Sequence, residues 1–76
     1  MKRNISKREY AVCIDNSGYE VSLERGKIYR VLPDSIGTEH GYLRVIDESG
    51  EDYLFDSERF FQIAISQKLE KALQRP

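Results

Sequence analysis

The sequence contains no tryptophan, one cysteine, one histidine and two prolines in 76 residues. A lone cysteine, Cys13, cannot form an internal disulfide framework, which excludes a disulfide-held secreted miniature and leads us to expect a cytoplasmic protein. Cys13 and His40 together also fall short of the three or four ligands that a zinc site needs. Neither sign of charge is in excess: 12 basic and 13 acidic side chains leave a formal net charge of −1. A dedicated duplex-DNA binder carries a clear basic surplus, so that class is disfavoured. No apolar run approaches the roughly 20 residues of a membrane span. Met1 to Glu9 is polar and charged with no apolar stretch after it, so neither a signal peptide nor an anchor is expected. Asn4-Ile5-Ser6 matches a glycosylation sequon, a match of no consequence in a protein that is not exported.

What is present suits one small folded domain. Apolar residues make up 39% and charged residues 33% of the chain, an ordinary balance for a soluble protein. A chain of this length buries about 60–65% of its unfolded surface, so its stability depends on good packing or on a partner.

Residues 1–9 read as a basic arm carrying Lys2, Arg3, Lys7 and Arg8. Tyr10 to Ile14 is a short β-prone run, apolar on both faces, and Asp15-Asn16-Ser17-Gly18 is a turn. Val21 and Leu23 alternate with Ser22 and Glu24 and so present one apolar edge. Arg25-Gly26-Lys27 turns tightly into the strand Ile28 to Leu32. Arg30 faces water there, which places Tyr29 and Val31 inside by the two-residue period of a strand, and Pro33 ends it. Asp34 to Gly41 reads as a polar loop. Tyr42 to Asp47 is the next strand, with Leu43 and Val45 inward and Tyr42, Arg44 and Ile46 outward. Asp47-Glu48-Ser49-Gly50 turns it into Tyr53-Leu54-Phe55. A one-turn bend over Asp56 to Arg59 and a last strand from Phe60 to Ile65 follow. Ser66 is a helix N-cap, with Ile65, Leu69, Ala72 and Leu73 at helical spacing behind it. Such a short helix is unstable alone, so residues 66–76 must dock on the body of the domain or on a partner.

Two stretches carry a resemblance. Val21-Ser22-Leu23-Glu24-Arg25-Gly26-Lys27, continuing as Ile28 to Leu32, resembles the diverging-turn segment of SH3 domains. Gly50 to Phe55, the bend, and Phe60-Phe61-Gln62-Ile63 resemble the end of that fold, where a strand, a one-turn helix and a final strand succeed one another. The chain also resembles small uncharacterised bacterial proteins carrying a Gly-Lys-x-Tyr turn and a hairpin like that of Arg44 to Leu54. The resemblance implies a mainly β protein of bacterial origin: a five-stranded SH3-like barrel over residues 10–65 with a short C-terminal α-helix. It does not imply recognition of proline-rich ligands. Tryptophan is missing, Asp56 stands about where those domains place a proline, and Phe60 lacks the hydroxyl of their tyrosine.

No reactive constellation stands out, and no enzyme, cofactor or metal is expected. Cys13 lies within an apolar strand and His40 in a loop, a poor dyad. Asp47, Glu48, Glu51, Asp52, Asp56 and Glu58 do not have the spacing of a calcium loop, and they make an acidic hairpin able to attract a basic partner. The five tyrosines and three phenylalanines are too many to be wholly enclosed, and tyrosine is a favoured contact residue. Tyr42, Ile46 and Ile28 form an outer strip that Leu69 and Leu73 of the helix are expected to cover. The expected function is therefore protein binding, to another protein or a second copy, through Tyr19, Tyr42, Tyr53, Ile46, Leu69 and Leu73. The alternative is a nucleic-acid-associated barrel using Lys2, Arg3, Lys7 and Arg8.

Overall fold

The computed structural model describes residues 9–73. Five strands form one antiparallel sheet: β1 (Glu9–Cys13), β2 (Ile28–Leu32), β3 (Tyr42–Ile46), β4 (Asp52–Asp56) and β5 (Phe60–Ile63). Two short helices accompany them, α1 (Ser35–Glu39) and α2 (Gln67–Leu73), with a 3-10 turn at Ser57–Arg59 between β4 and β5. The strand order is β4-β3-β2-β1-β5. Phe60 pairs with Cys13 and Ile63 with Tyr10, so the 3-10 turn carries the chain from one edge of the sheet to the other.

The sheet is not closed: among the described residues no ladder joins β4 to β5. Side chains from the long β1–β2 connection cover the core on that side. Leu23 is fully buried there, and Tyr19 sets its ring edge-on to Phe55 at 5.2 Å. The strand faces follow the alternation of charged residues. Tyr29, Val31, Leu43 and Val45 meet in one core with Ala11, Cys13, Leu23, Phe55 and Phe60, and Arg30 and Arg44 lie on the opposite face.

Four expectations need correction. The arm does not extend to Glu9, which pairs with Val31 in β1; residues 1–8, with Lys2, Arg3, Lys7 and Arg8, lie outside the described residues. Val21 is not half of an apolar edge but 93% exposed. The carbonyl of Tyr19 accepts from the amides of both Ser22 and Leu23, and this turn breaks the two-residue period. The segment from Asp34 to Gly41 is not a bare loop, because it contains α1. Asp34 caps that helix by accepting from the Gly37 amide at 2.8 Å, and Gly41 leaves it with a φ of 87°.

The last correction concerns the outer face. It is α1, not α2, that packs on the β3–β4 hairpin, so closely that a Cβ on Gly37 would lie 2.9 Å from Leu54 Cδ2. The α2 helix begins where Ser66 Oγ accepts from the Leu69 amide at 3.1 Å. It is tied instead to β1, through the Tyr10 hydroxyl donating to Glu70 Oε2 at 2.9 Å. Leu69 and Leu73 stay 40% and 43% exposed, and the residues after Leu73 lie outside those described.

Candidate functional site

Two turns of the sequence are built alike. Asp15-Asn16-Ser17-Gly18 and Asp47-Glu48-Ser49-Gly50 share the pattern Asp-x-Ser-Gly. In each, the aspartate Oδ1 accepts from the amide and the hydroxyl of the serine two residues on. In each, the glycine takes a φ above 80° that other residues rarely adopt. The Glu48 amide donates to the Ser22 carbonyl at 3.0 Å and so ties the hairpin tip to the long loop. Lys27 Nζ reaches the Glu48 carboxylate at 2.7 Å. That contact first, and the Tyr29 hydroxyl second, hold the Glu48 carboxyl below its usual range. Burial, then the bond to Glu48, pushes the Tyr29 hydroxyl far up.

Tyr19 is exposed yet fixed. Phe55 supports one edge of its ring, and the Arg59 guanidinium lies 4.7 Å from its centroid. Arg59 itself donates to the carbonyls of Ser17 at 2.8 Å and Asp15 at 3.2 Å. Opposite stands Tyr53, whose hydroxyl donates to Glu51 Oε1 at 2.8 Å. That bond first, and the charge of Glu51 second, raise the Tyr53 pKa. Both tyrosines line a cleft of about 440 Å³, together with Ser22, Asp47, Ser49, Leu54 and Phe55. Tyr19 and Tyr53 are 42% and 48% exposed, whereas Asp47 is only 7% exposed.

Of the residues singled out in the sequence, Tyr19 and Tyr53 come together here and the others do not. Tyr42 borders a separate depression of about 390 Å³ beside Ile36, His40 and Leu54. Ile46 is half-buried on the outer face of β3, and Leu69 and Leu73 ride on α2. The sequence placed Ser49 in a turn, Phe55 in a strand and among the surplus aromatics, and Asp47 in an acidic hairpin able to attract a basic partner, but nothing in it signals that they share a cleft with Tyr19. The repeated Asp-x-Ser-Gly pattern was the available sign that the two turns are alike. A further depression of about 770 Å³ lies beside Val31, Pro33 and Leu43; the described residues that line it include no aromatic, and Glu9, where the described chain begins, is one of them.

Cys13 lies in the core, where burial raises its thiol pKa. His40 is exposed at the end of α1, its Nδ1 2.9 Å from the Ile36 carbonyl. Among the described residues no three His, Cys, Asp or Glu side chains are placed to hold a metal ion. No described helix is long and apolar enough to cross a membrane. In comparison with known proteins, the chain matches no family, no curated protein and no solved structure.

Proposed function

We propose that this chain is a small non-enzymatic protein-interaction module, built on an SH3-like sheet, that holds a partner segment in the Tyr19–Tyr53 cleft. The fold reading is supported by the succession of β4, 3-10 turn and β5. The tight turn at Gly26 into β2 also supports it, since both are segments that carried the resemblance. One observation carries the function. Two tyrosines on different elements, each about half exposed, line one cleft together with the core residue Phe55. Because Phe55 and Arg59 already hold the Tyr19 ring, binding costs little of the side-chain freedom that a mobile contact residue would lose. A single buried thiol is in keeping with a reducing, cytoplasmic setting.

Affinity capture from native lysate tests this reading, with wild-type protein compared against Tyr19→Ala, Tyr53→Ala and Leu73→Ser. A stoichiometric protein partner should be retained by the wild type and by Leu73→Ser and lost from both tyrosine variants. Retention of RNA with no protein partner would replace this reading with nucleic-acid binding. That alternative rests on Lys2, Arg3, Lys7 and Arg8, and nothing in the described residues favours it.

A further inference from the structure

We infer that the occupant of the Tyr19–Tyr53 cleft is a peptide segment that inserts a lysine or arginine side chain towards Asp47. The inference rests on the binding role proposed above and adds the chemistry of the partner. Asp47 lines the cleft and is more than nine-tenths buried. Its Oδ1 is occupied by the Ser49 amide and hydroxyl, while Oδ2 has no donor among the described residues. Oδ2 is not among the buried unpartnered atoms of the described residues; it keeps contact with water, and a donor from outside can displace that water.

The surrounding cations are engaged elsewhere. Lys27 is bound to Glu48, and Arg44 to Asp34 and Asp52. Arg59 is held by two loop carbonyls and lies 3.7 Å from Asp15. Among the described residues neither Asp47 nor Glu51 has a Lys or Arg ion pair, so the cleft and its rim keep a negative charge. The walls suit the stem and head of a basic side chain. Arg59 already lies over the Tyr19 ring, so the Tyr53 ring is the one left to attract a cation over its face, and the aliphatic portion of Lys or Arg packs on apolar surface such as Phe55. An acidic segment would meet Asp47 and Glu51 as like charges, which is how such a cleft discriminates.

Peptide arrays provide the test. Random nine-residue pools carry Arg, Lys, Glu or Leu fixed at the centre and are probed with labelled full-length protein. The Arg and Lys pools should retain at least about five-fold more protein than the Glu and Leu pools, a preference that weakens as salt rises. Asp47→Asn keeps the acceptor for Ser49 and removes the charge; it should abolish the preference while circular dichroism stays native. Tyr53→Ala, at a half-exposed position, should lower retention on all pools. Equal retention on Leu and Arg pools, sensitive to Tyr53→Ala, would overturn the basic partner and leave the binding cleft standing. Retention on no pool, or retention insensitive to Tyr53→Ala, would overturn both. Should Asp47→Asn fail to fold, a preference of the wild type that does not change with salt would overturn the inference by itself.

Discussion

The Tyr29 hydroxyl donates to the Glu48 carboxylate and at the same time accepts from the Glu24 amide at 2.7 Å. One phenol at the edge of the core thus joins β2, the long β1–β2 connection and the tip of the β3–β4 hairpin. These are the pieces that bring Tyr19 and Tyr53 to the same cleft.

Tyr29→Phe keeps the ring, with its edge contact to Phe60 at 6.5 Å, and removes only the oxygen. A part-buried amide and a carboxylate lose a partner together, so the expected cost is about 1–2 kcal/mol. Urea unfolding should show a lower midpoint at an unchanged slope. A variant as stable as the wild type would mean that water replaces the hydroxyl without loss.

The acid limb of stability should carry the signature of Glu48. Its carboxyl is held low, first by Lys27 and then by Tyr29. The contribution is therefore complete above the unfolded value of about 4.3 and is lost as pH falls through the depressed folded value. Glu48→Gln should flatten the fall of melting temperature below about pH 5. The side chain is 34% exposed, so solvent screening limits the effect to under about 1 kcal/mol. Tyr29 is displaced upward, so its contribution is present below about pH 10 and declines at higher pH. Melting temperatures of wild type and variant between pH 3 and pH 11 test both signs.

The sheet was legible in the sequence because its signals are local. Arg30 and Arg44 mark the face opposite the core, and the four residues beside them are found in the core; that face is only partly wet, since both arginines are half-buried and Arg30 Nε is buried without a hydrogen-bond partner. Gly18, Gly26 and Gly50 sit in the turns expected of them, all at positive φ. α1 escaped notice because five residues are too few to display a 3.6-residue repeat; its sign was the cap, Asp34, together with Gly41 after the end. Val21 and Leu23 looked like an alternating edge because periodicity cannot tell a turn from a strand over so short a stretch. Whether β4 meets β5, and whether Tyr19 meets Tyr53, depends on contacts between distant segments that no local pattern encodes.

Cys13 should be inert in the native protein. It is wholly buried, and burial raises its thiol pKa, so the reactive thiolate is both scarce and inaccessible. Labelling with an aromatic disulfide reagent at pH 8 should be slow in buffer and complete in denaturant. The native rate should follow the unfolded population as urea is added. Immediate labelling in buffer would show that the β1–β5 edge opens without global unfolding.

Asp34 holds α1 to the sheet by two different bonds, and substitutions can separate them. One oxygen accepts from the Gly37 amide and caps the helix; the other takes Arg44 Nε at 2.8 Å. The cap first and Arg44 second keep the Asp34 carboxyl below its usual range. Asp34→Asn preserves an acceptor for the cap and gives up the ion pair, whereas Asp34→Ala removes both. Melting temperature should fall in the order wild type, Asn, Ala. Hydrogen exchange at the Gly37 amide should remain slow in the Asn variant and become fast in the Ala variant. If the two variants melt together, Arg44 rather than the cap anchors α1. Arg44→Met should then reproduce the whole loss, because Asp52 on the neighbouring strand can hold Arg44 over the sheet but offers nothing to α1.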